Sequence, residues 1–197
     1  MKSRRCSPTR SDGWLFARRR CRGRRSSWTS TKLHFRTGPA FFQDDYAYIL
    51  SGTCDFQRVG DPCGDLGWQQ SGRAPAIEPT LKLYNAVRCT GEAPSCIKVD
   101  VFFVTGRREK EHNYETASVW TLRNLEAAGY GAVQRDHLYM REAAGIGGVD
   151  DYKSAARADI ESRGFTIVAN IGDQKSDLAK GHAEMTFKVP NPFYFIP

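Results

Sequence analysis

The sequence predicts an α/β fold built on a parallel sheet, on two observations. Two stretches, VFFVTGR (residues 101–107) and FTIVANIG (165–172), are β-branched, aromatic and apolar, and each runs into small polar residues. Segments of helical period alternate with these and with further short apolar runs, at the intervals of βαβ units. At 197 residues the chain is long enough for one domain with a core and a short appendage.

Charge divides the chain unevenly. The net charge is +7, yet residues 1–25 hold nine arginines and one lysine against one aspartate, leaving the remainder mildly acidic. Such an arm can bind nucleic acid or an anionic surface. No nucleic-acid-reading motif accompanies it, so residues 1–38 are expected to be a basic, low-order leader. No apolar run follows its basic residues, so neither a signal peptide nor a transmembrane helix is expected in the chain as written, and no membrane partner. Localisation and oligomeric state stay open. Cysteines at 6, 21, 54, 63, 89 and 96 form no CxxC pair and only four histidines are present, which argues against zinc. Cys54 with Cys63, or Cys89 with Cys96, could pair in an oxidising compartment; free thiols are the alternative.

Residues 39–197 are expected to form the folded domain. Residues 44–76, rich in Gly, Pro, Asp and Cys, predict loops or a small cap segment. IEPTLKLYNAV predicts a helix, with Pro79 in its first turn and Leu81, Tyr84 and Val87 on one face. RCTGEAPSCIK reads as a loop, and KVDVFFVTGR as a buried strand stopped by Thr-Gly-Arg. Residues 111–128 fit a helix with Val119, Leu122 and Leu125 at helical spacing and Gly129 at its end. HLYM is a short strand or turn, 151–163 a charged helix closed by Gly164, FTIVANIG a second buried strand, SDLAKG a short helix and MTFKV a third strand candidate.

In parallel α/β sheets the ligand site lies beyond the carboxyl ends of the strands. One strand ends at Thr105, Gly106 and Arg107, and another at Asp173. Asp177 follows one helical turn later, close enough to share a hard cation such as magnesium with Asp173. Lys153, early in the intervening helix, can neutralise a phosphate oxygen. A lone GDxxxD is as well explained by a turn and helix cap. Beside a strand-terminal TGR it points towards a phosphoryl site.

The stretches APAIEPTLKLYNA, VFFVTGR, TLRNLEAAGY, YKSAARADIESRGFTIVANIGDQKSDL and FKVPNPFYFIP resemble the class B-type acid phosphatases of the haloacid dehalogenase-like (HAD) superfamily, subfamily IIIB. That group includes plant vegetative storage proteins, and the likeness covers roughly residues 44–197. It implies a three-layer Rossmann-like fold and magnesium-dependent hydrolysis of small phosphate monoesters through a phospho-aspartyl intermediate. In the family an aspartate of a DxDxT motif on the first strand attacks phosphorus, and the next protonates the leaving group. Thr105 would match the hydroxyl that holds a phosphoryl oxygen, with Gly106 beside it. Lys153 would match the lysine that supports nucleophile and phosphate. Asp173 would match the metal ligand, with Asp177 in direct or supporting contact. Lys175 stands where the family usually has Trp, and RCTGEAPSCIK looks like an insertion.

The first motif is absent: no aspartate occurs between Asp12 and Asp44. Asp44 and Asp45 precede the cap-like segment and are no substitutes. Codon redundancy suggests a reason. SWTSTKLHFRTG back-translates so that the frame one base earlier encodes VLDVDETSLSNW, a complete nucleophile strand and following turn. Residues up to about 38 are therefore expected to be a frame-shifted translation. Lys32, His34 and Arg36 would break the apolar pattern of a central strand. The chain as written is expected to be inactive. The alternative is a non-catalytic phosphate- or metal-binding, storage-type homologue.

Overall fold

A computed structural model describes residues 25–30, 64–88, 99–109, 117–142 and 147–191, the first of these by backbone only. The elements, in chain order, are β1 (Arg25–Ser30), α1 (Gly64–Ser71), α2 (Glu78–Arg88), β2 (Asp100–Arg108), α3 (Ala117–Leu125), β3 (Leu138–Arg141), α4 (Val149–Ser162), β4 (Phe165–Gly172), α5 (Lys175–Leu178) and β5 (Thr186–Lys188). The five strands form one parallel sheet in the order β3-β2-β1-β4-β5. This order places β1 at the centre, with Ser30 opposite Phe103 of β2 and Ile171 of β4. A strand thus stands where the sequence offered no recognisable one, although its residues include no carboxylate.

The two-residue period of β2 divides the core into two layers. Val101 and Phe103 face one side and pack with Tyr84 of α2, Trp120 and Leu125 of α3, Tyr130, Leu138 and Met140. Phe102 and Val104 face the other, against Ala156 and Ile160 of α4 and Phe165 and Ile167 of β4. Phe102 is fully buried between the ring of His137, with centroids 4.3 Å apart, and the edge of Phe165 at 4.9 Å. Each such ring contributes about 1.5–3 kcal/mol on burial. Helices therefore cover both faces of a parallel sheet, as its continuous apolar strands require.

Two expectations need correction. β2 does not stop at Thr105; it continues through Gly106 and Arg107 to Arg108, with an irregularity in its pairing to β3 between Thr105 and Arg108. Of the helically spaced apolar residues of α3, Leu125 is buried and Leu122 packs against the core, but Val119 does not. Val119 is half exposed, whereas Ala117, Trp120, Thr121, Asn124 and Leu125 are buried. Asn124 turns inward, its Nδ2 donating to the Gln69 carbonyl, and the exposed Arg123 donates to the Gln70 carbonyl at 2.8 Å, so both tie α3 to α1. The helix then widens into a single π turn over Glu126–Tyr130, which ends around Gly129 at φ +94°.

The rest of the order agrees with the sequence. α2 buries Tyr84, whose hydroxyl donates to the Tyr130 carbonyl at 2.9 Å. α4 begins at Val149, two residues before the predicted start, with Asp151 Oδ2 accepting from the Gly148 N–H at 3.0 Å. It closes before Gly164 at φ +89°. Of the predicted cap, α1 is described. The basic leader apart from β1, all six cysteines, the 89–98 insertion, Asp44, Asp45, Lys32, His34 and Arg36 lie outside the described residues.

Candidate functional site

Thr105 and Gly106 lie towards the end of β2, Asp173 directly follows β4, Asp177 is on α5 and Lys153 is on α4. Thr105 is buried towards the end of β2, and its Oγ1 accepts from the Arg107 N–H at 3.3 Å, within the irregular stretch of the strand. Gly106 lies under α4: a Cβ there would meet Val149 Cγ1 at 3.4 Å and Lys153 Cε at 4.0 Å. That approach brings the Lys153 stem alongside the Thr-Gly step.

Lys153 is 3% exposed, and its Nζ donates to Oδ1 of Asp177, itself 1% exposed. The other Asp177 oxygen, Oδ2, accepts from the N–H groups of Asp173 and Gln174, each at 2.9 Å. These bonds cap the four-residue α5 and fold the strand-end loop back on itself. The Asp177 carbonyl accepts from Asn170 Nδ2 and Arg157 Nη1, both at 2.8 Å. Gly172 is needed for the same turn, since a Cβ there would collide with the Asp177 side chain.

Asp173 is different. Its Oδ2 accepts from Asn191 Nδ2 at 2.6 Å and Gln174 Nε2 at 3.2 Å, while Oδ1 is buried without a hydrogen-bond partner. A bare, buried carboxylate oxygen is costly, and a hard cation is the partner its chemistry suits. The donor set at Asp173 therefore fits a magnesium ion through one oxygen. Both Asp177 oxygens are taken up by hydrogen bonds within the protein. Among the described residues no three His, Cys, Asp or Glu side chains gather into a metal-holding group. The neighbouring central strand β1, RSSWTS, carries no carboxylate.

Two further residues escaped the sequence reading. Arg157, buried on α4, donates to the carbonyls of Asp177, Ala179 and Gly181 and so holds the whole loop after α5. Its position one helical turn after Lys153 was a usable signal, because both project from the same face of α4. Burial pushes its guanidinium below the ordinary value, opposed by Asp177 and Glu161. Asn191 lies in the quoted FKVPNPFYFIP stretch, but no local pattern ties it to Asp173.

With this geometry in place, the comparisons assign the class. Residues 66–197 match the profile of the HAD superfamily, subfamily IIIB (acid phosphatase), and the chain belongs to that family. It is similar to acid phosphatase 1 of Solanum lycopersicum, 36% identical over 131 residues, which are 66% of this chain and 46% of that protein. It is also similar to the stem 28 kDa glycoprotein of Glycine max, 35% identical over 131 residues and the same shares. Vegetative storage protein 1 of Arabidopsis thaliana is 30% identical over 131 residues, 66% of this chain and 43% of its own. The matches thus cover less than half of these relatives' lengths. No described helix is long and apolar enough to cross a membrane.

Proposed function

We propose that this site belongs to a magnesium-dependent phosphomonoesterase whose nucleophile strand is altered in the chain as written. The observation that carries the reading is the unpartnered buried Oδ1 of Asp173 beside the Lys153–Asp177 pair, at the carboxyl edge of a parallel sheet. Bound magnesium would offset charge on the phosphoryl oxygens and orient the ester. Thr105 and Gly106 contact the transferring group, and Lys153 supplies positive charge to it and to the nucleophile. Asp177 holds the Lys153 ammonium in place and caps the loop that carries Asp173.

The nucleophile and its acid partner belong on the central strand. In the shifted reading of the N-terminal codons the two aspartates fall across Trp28–Thr29 and Ser30–Thr31. β1 ends at Ser30 between β2 and β4, which supports assigning this segment to the nucleophile strand. Without those carboxylates no covalent phospho-aspartyl step is available. The chain as written is accordingly inactive. The substrate is a small phosphate monoester.

The test is p-nitrophenyl phosphate hydrolysis with and without magnesium, by this chain and by a version with VLDVDETSLSNW in place of residues 27–38. Magnesium-dependent turnover only in the second supports the reading. Turnover by neither sinks it. The lack of any aspartate between Asp12 and Asp44 favours one second reading for this chain, a storage-type protein that keeps the fold without chemistry. Equal inactivity of both versions, together with retained phosphate binding, is the outcome that reading expects.

A further inference from the structure

We infer that Asn191 is a positioning residue that sets the direction in which Asp173 presents its free oxygen to a hard cation. This rests on the phosphatase reading of the site. The two oxygens of Asp173 stand in different surroundings: Oδ2 is tied by two side-chain amides, and Oδ1 is buried with no partner. A carboxylate can turn about its Cα–Cβ and Cβ–Cγ bonds. Two donors on one oxygen stop that rotation and leave the other oxygen aimed one way.

The two donors differ in origin. Gln174 is the adjacent residue and moves with Asp173. Asn191 is 18 residues away and makes the stronger contact, at 2.6 Å against 3.2 Å. Its delivery is built into the chain. β5 pairs with the end of β4, placing Phe187 beside Ile171 and Lys188 beside Gly172. The Val189 N–H then donates to the Gly172 carbonyl at 3.0 Å, carrying the segment one step past the strand. Pro190 has no N–H and ends the pairing, and Pro192 confines the backbone of Asn191 to extended conformations. An asparagine between two prolines, tied next to the strand end, loses little freedom on reaching Asp173.

Residues that orient a metal ligand without touching the metal usually change affinity by about 10–100-fold when removed. The test titrates manganese, an electron-paramagnetic stand-in for magnesium, into the intact chain and into Asn191→Ala and Asn191→Leu. Leucine keeps the volume and removes the donor. Concentrations run to about 10 mM, above the range of weak hard-cation sites, and metal-free melting curves are recorded alongside.

The inference expects both variants to bind manganese about tenfold or more weakly than the parent while keeping its cooperative metal-free melt. Affinities within twofold of one another would overturn it and leave the phosphatase reading standing. Loss of the cooperative melt in both variants would also overturn it, in favour of a purely structural tail contact. No uptake by the parent, with Asp173→Asn indistinguishable from it, would overturn the metal site and the inference together.

Discussion

Lys153 and Asp177 form a buried ion pair in which each charge depends on the other, since both side chains are almost wholly inaccessible. Asp177 is further committed to two backbone N–H groups, and its backbone carbonyl to Asn170 and Arg157. The pair therefore links α4 to the loop that carries Asp173.

Removing one partner should cost far more than removing both. Lys153→Met leaves Asp177 buried and uncompensated and is expected to destabilise the fold by about 3–5 kcal/mol. Lys153→Met with Asp177→Leu should recover part of that loss. Urea denaturation of the two single variants and the double variant measures the coupling, and strict additivity would contradict the pair.

Arg157→Lys should destabilise the protein by about 2–4 kcal/mol although charge is kept. A lysine cannot reach the carbonyls of Asp177, Ala179 and Gly181 together as the guanidinium fork does. A melting temperature unchanged from the parent would contradict this. Faster hydrogen exchange confined to residues 177–182 is the expected local signature.

Gly172→Ala should be more damaging than Gly164→Ala. At 172 a Cβ would lie 2.8 Å from Asp177 Oδ2 and 2.9 Å from its Cγ, so the capping carboxylate must move, at a cost of about 3 kcal/mol. At 164 nothing lies within 4 Å, and only the φ of +89° is unfavourable, costing about 1 kcal/mol. Denaturation midpoints of the two variants give the comparison.

Surface charges give a separate acid-side prediction. Lys180 bonds to both Asp150 and Asp151, and these hydrogen bonds hold both carboxyls below their ordinary range and raise the Lys180 ammonium. A depressed carboxyl contributes stability above its unfolded value and loses it as pH falls through the folded one. Carboxyl titration by NMR should show both depressions shrink in Lys180→Met, and in about 1 M salt, where screening acts within about 3 Å. The groups are exposed, so the effect on melting should be small.

Tyrosine ionisation supplies the alkaline counterpart. Burial pushes the Tyr130 and Tyr152 phenols well up, with neighbouring Tyr84 and Tyr139 respectively adding to the effect. A raised phenol favours the folded state below its unfolded value and withdraws that support as pH climbs towards the folded one. Ultraviolet titration should show these two tyrosines ionising late, together with alkaline unfolding.

Much of this was legible in the sequence because it rests on short-range rules. The apolar runs of β2 and β4, the helix after the first and the glycine closing α4 all follow from period and turn chemistry. So did the polar strand ends, since a parallel sheet places its ligands there. Val119 was misplaced because the helical stripe of α3 is read from apolar residues, whereas Thr121 and Asn124 are buried and Asn124 ties α3 to α1. β2 ran past Thr105 because its end keeps pairing with β3 through an irregularity that composition does not encode.

By itself the sequence determined which chemistry-bearing residues reach the carboxyl edge, because strand and helix periods are local. It also determined that no aspartate accompanies the central strand, which is a matter of identity. Only the tertiary structure decided how Asp173 and Asp177 differ. Two carboxylates four residues apart look equivalent along the chain. Lys153 and two backbone N–H groups claim both oxygens of one, whereas Asn191 and Gln174 claim a single oxygen of the other. Lys153 and Asn191 lie 20 and 18 residues from Asp173, and long-range packing alone brings them to the site.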